Sequence, residues 1–470
     1  MPADLDQKAN FAADFGLVFR SSAIFAVLPE ASLTIAVLNY WKIKNNLDVT
    51  LVFTQRTAKG ALIDRACFDF ADCNVVNFLP TITEGSVEIE ALSNRNARIP
   101  YAAIMGIYET DNSVSMVHAY ARNHSLSEIE DRRAILEARE SCITLRAYQN
   151  IETVAIFHNG NVPIDEQQAK LILTSQAGDE KEIRFILPAL APYETYTFEF
   201  ERIAPDCRSF LNSKDGWAAL HFSNQSAFPR LLVRWLDRST GAVQVTHSNF
   251  DYSVHRTDMI DTENAALMVI PGIHTRLVEK VAVLYARPTP GLYNISVEGE
   301  NLQTEGGEII PLPITSACTI RLTAQTGQLP SRIVTAISGQ VSPDSLPFEC
   351  SLGVLHDRRP PKRFHWGVVS ARHDSVVYLT KYADLYGGGD EIGLSFNLYG
   401  NGSASPLKRD LTYHSLAEVP DFFNIRDLFP DLSGCLAGEF GYITLFSNWG
   451  GFLAFTALEL DGSLTIEHTF

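Results

Sequence analysis

The densest group of side chains able to do chemistry lies in THSNFDYSVHRTDMIDTE, residues 246–263. It supplies His247, Asp251, His255, Asp258 and Asp261. Imidazole and carboxylate donors together suit zinc, iron or manganese, which makes His247, His255 and Asp258 the candidate ligands of a divalent metal. Carboxylates alone would favour calcium. On an extended strand His247, Asp251 and His255 share a face, but the two histidines then stand about 30 Å apart. They meet only if the chain turns near residues 249–252. No HExxH helix, EF-hand loop or two-His-one-carboxylate spacing accompanies them. The competing reading is a solvated loop between domains, with no cofactor.

Recognition is the second chemistry on offer. The run Phe228-Pro229-Arg230-Leu231-Leu232-Val233-Arg234-Trp235 sets aromatic rings beside guanidinium groups. Sugar faces stack on indoles, and Arg or Asn side chains read hydroxyls by hydrogen bonding. Arg230 and Trp235, with His247, Asn249 and Asp251, are therefore the candidate ligand-binding set. A tryptophan in a strand more commonly fills a core, which is the bland reading of Trp235.

These residues belong to a recurring pattern. Segments GSVEIEALSN, GWAALHFSN, SRIVTAISG and GYITLFSN carry Ser93, Ser223, Ser338 and Ser447. Each is followed by a strand with one histidine: His118, His247, His365 and His468. The spacing between copies is roughly one small domain. Equivalent histidines could bind equivalent ligands. A repeated fold also repeats its structural polar contacts, and that reading covers Ser, Asn and His together.

The elements that must position these groups are short. Apolar runs rich in Val, Ile, Thr, Phe and Tyr, such as SLTIAVLNY, ETVAIFH, AKLILTS and SVVYLT, are broken every 8 to 15 residues by Gly, Pro, Asn or Asp. That is the signature of all-β sandwiches or barrels. One helix is expected, HSLSEIEDRRAILEARES at 124–141, where Ser125 and Glu128 have capping-box spacing. The expected fold class is all-β: a tandem repeat of about four β-sandwich-like units, Ig-like or jelly-roll-like, with a short helical connector. The expected boundaries are an N-terminal segment over 1–20, units over 21–125, 141–262, 263–373 and 374–470, and the connector over 126–140. The likeness to immunoglobulin-like or jelly-roll modules rests on strand density and repeat length, and implies no activity.

The 470 residues carry 38 Lys and Arg against 55 Asp and Glu, a net charge of -17. Such a surface disfavours nucleic acid and anionic membranes, whose phosphates need clustered cations. No apolar run is long enough to span a membrane, and the first residues do not read as an export signal. The default expectation is a cytoplasmic protein, with a surface or particle location by a signal-less route as the alternative. Seven cysteines without a CxxC suit reduced thiols better than a disulfide framework. No GxSxG elbow or phosphate loop is present. The leading functional expectation is a non-enzymatic binding or assembly protein, taking a glycan or protein partner or forming a homo-oligomer. The alternative is a metal-dependent or carbohydrate-active enzyme centred on residues 246–263.

Overall fold

The computed structural model describes residues 19–70, 73–93, 103–123, 142–224, 226–228, 230–249, 259–260, 266–273, 277, 279–285, 292–297, 300–305, 309–313, 318–326, 329–330, 334–352, 354–356, 361–401, 405–437 and 439–468. Among them the structure is nearly all β, as the spacing of apolar runs predicts. The expected helix over 124–141 lies outside the described residues.

The first eight strands are β1 (Phe19–Val27), β2 (Ser32–Leu38), β3 (Thr50–Arg56), β4 (Leu62–Asp69), β5 (Val75–Phe78), β6 (Gly85–Ser93), β7 (Ile104–Thr110) and β8 (Ser113–His118). They form two sheets, β1-β6-β3-β4 and β5-β2-β7-β8. The next eight are β9 (Cys142–Arg146), β10 (Ile151–His158), β11 (Gln167–Thr174), β12 (Glu180–Leu187), β13 (Thr195–Glu199), β14 (Asp215–His221), β15 (Leu232–Asp237) and β16 (Val243–His247). Their sheets are β9-β14-β11-β12 and β13-β10-β15-β16.

A two-residue ribbon joins β17 (Met259–Ile260) to β24 (Leu329–Pro330). The third set comprises β18 (Ala266–Ile270), β19 (Glu279–Tyr285), β20 (Leu292–Val297), β21 (Glu300–Glu305), β22 (Ile309–Pro313), β23 (Cys318–Thr326), β25 (Val334–Gln340), β26 (Phe348–Leu352) and β27 (Val354–His356). It gives β21-β20-β23-β18-β27 and β22-β19-β25-β26. The last set is β28 (Phe364–Ser370), β29 (Asp374–Lys381), β30 (Asp390–Tyr399), β31 (Leu407–Ser415), β32 (Phe422–Asn424), β33 (Phe440–Ser447), β34 (Phe452–Leu460) and β35 (Ser463–His468). Its sheets are β28-β33-β30-β31 and β32-β29-β34-β35.

Counted within each set, with the ribbon and β27 set aside, the order is the same four times: 1-6-3-4 facing 5-2-7-8. Three of the four segments with Ser-Asn or Ser-Gly fall on or just after the sixth strand, namely β6, β14 and β33. SRIVTAISG instead overlaps β25, the seventh strand of its set, and the sixth is β23. The His365 strand also differs from expectation. It is β28, which pairs with β33 and so opens the fourth set rather than ending the third.

The four sandwiches close into a ring. Val154 and Ile156 of β10, Leu232 of β15, and Val243 and Val245 of β16 share one core cluster with Phe25, Phe53 and Ile89 of the first sandwich. Val376, Tyr378, Phe455 and Leu464 of the fourth join Tyr293, Ile295 and Ile320 of the third. Ala36, Met105 and Val114 of the first join Trp366, Val368 and Tyr442 of the fourth. In each case a 5-2-7-8 sheet lies against a neighbour's 1-6-3-4 sheet. Burial on both faces explains why β2, β8 and β16 read as near-continuous buried runs rather than alternating ones. The peripheral fourth strands β12 and β31 keep largely exposed faces.

The eighth strands meet at the middle of the ring. β8 lies beside β16 and β35, and β26 lies beside β35 and β16. Each is a sheet edge with unpaired backbone donors, and side chains of the adjacent edge satisfy them. Val243 and Val245 N–H donate to Ser113 and Ser115 Oγ, both at 2.8 Å. Val114 and Met116 N–H donate to Ser463 Oγ and Thr465 Oγ1 at 3.2 and 3.0 Å. His118 N–H continues the series to the Glu467 carboxylate. His468 N–H donates to the Cys350 thiol.

Candidate binding cleft and axial histidine cluster

The seam between the second and third sandwiches is built differently from the other three. Among the described residues, Leu346 is the third sandwich's one buried member of the second sandwich's core cluster. A cavity of about 940 Å³ opens beside it. Antiparallel pairing of β9 with β14 sets Arg146 opposite Asp215 and Thr144 opposite Trp217. Pairing of β25 with β26 sets Ser338 opposite Glu349 on the facing wall.

Arg146 ties the walls together. Its Nη1 lies 3.3 Å from Asp215 Oδ2, and its Nη2 donates to Ser338 Oγ at 3.2 Å and to the Phe348 carbonyl at 3.4 Å. The guanidinium also lies over the Trp235 ring, 4.4 Å from its centroid. Burial pushes the Asp215 carboxyl above its ordinary range, and the Arg146 charge opposes that shift. Burial raises Glu349 too, against Arg146 and a hydrogen bond from Thr144. At the mouth, Tyr148, Gln149 and Asn150 are exposed and line the same cavity. The site can offer aromatic faces, amides, hydroxyls and carboxyls around one buried cation.

The residues singled out from the sequence fall in three places. Trp235 is fully buried in the second sandwich, with its indole N–H donating to the Thr144 carbonyl at 3.2 Å, so its ring presents no face to solvent. Asn249 bridges to Cys142 through its backbone and accepts from Ser351 Oγ at 3.0 Å. Asp251, His255 and Asp258 lie outside the described residues. His247 and Arg230 are buried at the ring centre.

There His247 meets two of the other recurring histidines. Its ring centroid is 4.5 Å from that of His118, and His118 is 5.3 Å from His468. His118 Nδ1 lies 3.3 Å from Glu467 Oε2. His247 Nδ1 is 2.9 Å from the Ser248 carbonyl, which can only accept, so this nitrogen carries the proton and Nε2 keeps a lone pair. Burial first, and the Arg230 charge second, hold His118 at about 3 and His247 well below the usual imidazole range. Burial and the neighbouring His118 bring His468 to about 3. Burial pushes Glu467 up to about 7. His365 is buried at the start of β28. The donor series along the edges puts Cys350 where Glu467 stands, and hence Ser351 of β26 in the fourth histidine-equivalent place.

No family model matches the chain, and no curated protein matches it. Among solved structures it aligns with the viral chemokine binding protein R17 encoded by rodent gammaherpesvirus Peru. The alignment covers 76% of this chain and 88% of that one, at 9% identity and a TM-score of 0.14. A likeness that slight bears on neither the fold nor the ligand. The multi-sheet β fold is compatible with a binding or assembly protein. No helix among the described residues is long and apolar enough to cross a membrane.

Sequence reasoning missed Arg146, Asp215 and Glu349. Arg146 is 69 residues from Asp215 and 202 from Phe348, so no local motif joins them. One signal was present: CITLR, a strand-like run that ends on a charge where a buried partner is then required.

Proposed function

We propose that this is a non-enzymatic binding protein whose recognition site is the cleft between the second and third sandwiches, and that its ligand is an uncharged glycan segment. The observation that carries this reading is the cavity itself. At about 940 Å³ it lies at the upper end of the range of small-ligand sites and opens at a domain junction, where such sites concentrate. Its lining is chemically mixed in the manner sugars require. Tyr148 supplies an exposed ring face and the buried Trp217 adds apolar lining, while Gln176, Ser338 and Gln340 supply donors and acceptors. Asp215, Asp237, Asp344 and Glu349 outnumber Arg146 among the charged lining residues, which disfavours an anionic ligand.

Tyr148 is the residue on which to test this, because it is 42% exposed and its removal leaves the core intact. Uncharged oligosaccharides are screened on an array and hits quantified by calorimetry. The expected result is saturable binding that Tyr148→Ala weakens about tenfold, the loss of one stacking contact, with the thermal midpoint unchanged. Absence of any saturable oligosaccharide, or equal affinity in Tyr148→Ala, would overturn the reading.

A further inference from the structure

We propose that the axial cluster is a structural transition-metal site, with His118, His468 and Glu467 as its protein ligands and Zn²⁺ as the ion it suits. One ligand atom from each of these three residues can be chosen so that all lie within 4.8 Å of one another. Zinc with imidazole and carboxylate ligands at about 2.0–2.1 Å in a tetrahedron has ligand–ligand edges of about 3.3 Å. The 3.3 Å from His118 Nδ1 to Glu467 Oε2 already has that length. Small rotations of the side chains would close the remaining edges. His247 is the nearest further donor, its ring 4.5 Å from that of His118 and its Nε2 lone pair left open by the Nδ1 bond to Ser248. A backbone carbonyl that fixes the imidazole tautomer in this way is the usual outer support of a metal-binding histidine.

The surroundings choose the class of ion. Calcium and magnesium want six or more oxygens, and this cluster brings a single carboxylate. Two imidazoles and one carboxylate are a donor set that zinc accepts in four-coordination. The position gives the ion a structural role. His118 comes from the first sandwich and Glu467 and His468 from the fourth, so one ion would pin the two strands that close the ring. A buried ion of this kind enters as the centre forms. The inference rests on the axial cluster alone and stands or falls apart from the cleft.

The test uses the untagged full chain. It is unfolded in denaturant with chelator, then refolded with Zn²⁺, with Co²⁺ or with neither, and passed through gel filtration. The expected result is one retained zinc per chain by elemental analysis, a raised thermal midpoint, and an intense visible Co²⁺ spectrum typical of four-coordination. His468→Gln should lose the retained ion, and His414→Gln, on an exposed position of β31, should keep it. Wild-type protein that retains no zinc would overturn the proposal, as would His468→Gln retaining as much as wild type. If His468→Gln fails to fold, the wild-type Co²⁺ spectrum decides: the weak bands of a six-coordinate ion would overturn the assignment.

Discussion

His158 shows how single polar groups are spent in joining sandwiches. Ala26 N–H donates to Tyr120 Oη at 2.7 Å, Tyr120 Oη lies 2.7 Å from His158 Nε2, and His158 Nδ1 lies 3.0 Å from Thr195 Oγ1. This chain of bonds runs from the first sandwich into the second through buried space. Burial holds His158 at about 3, so the folded protein refuses a proton that the unfolded chain takes up near 6.5. Its contribution to stability is whole above pH 6.5 and declines as pH falls toward 3, by roughly 1.4 kcal/mol per pH unit. Thermal melts across that window should show His158→Gln losing less stability on acidification than wild type. An identical acid slope in the two proteins would mean that His158 is protonated in the fold. None of this was legible in the sequence, where His158 ends an ordinary apolar run, ETVAIFH. A histidine's protonation depends on what covers it, and Thr195 is brought there from 37 residues away.

Among the elements, the eighth strands carry the most information. Ser113 and Ser115 face outward from β8 and receive the bare amides of β16. Replacing both by Ala would leave Val243 and Val245 N–H buried without partners, at about 1–3 kcal/mol each. Denaturant unfolding of the double variant should therefore show a loss of several kcal/mol. A change below 1 kcal/mol would indicate that other acceptors move in. Three of these strands were recognisable in the sequence, because His118, His247 and His468 each close an alternating run. The fourth was not. β26 has Ser351 in the equivalent place, and the histidine-bearing run RFHWGV belongs to β28. Alternation of side chains reports that a segment is a strand with two faces, but it is silent about which strand of a sandwich it becomes.

At the scale of the whole molecule, three seams of the ring are apolar and one is polar. The apolar seams share core clusters across sandwiches, while the seam holding the cleft relies on Arg146 and a few hydrogen bonds. Regions with few buried apolar contacts open first. Amide hydrogen exchange should accordingly be faster along Ser338–Leu352, on the cleft wall, than along Val114–Met116 or Ser463–Thr465. Equal protection at all four seams would contradict this ranking. The all-β class was legible because strands of five to ten residues leave their period in the sequence. The ring was not, because its closure depends on which buried face meets which, and β2, β8 and β16 are buried on both.

The edge bonds between β8 and β35 join residues 349 positions apart. A ribosome adding about 5–20 residues per second needs roughly 20–70 s to cover that distance. β16 follows β8 by 130 residues and takes up its hydroxyls, but the β8 amides that donate to β35 wait out the whole interval. An apolar strand left bare for so long would invite pairing with another nascent chain. β8 instead alternates Ser113 and Ser115 with its apolar residues, so its hydroxyls keep this edge hydrated until β16 takes them up.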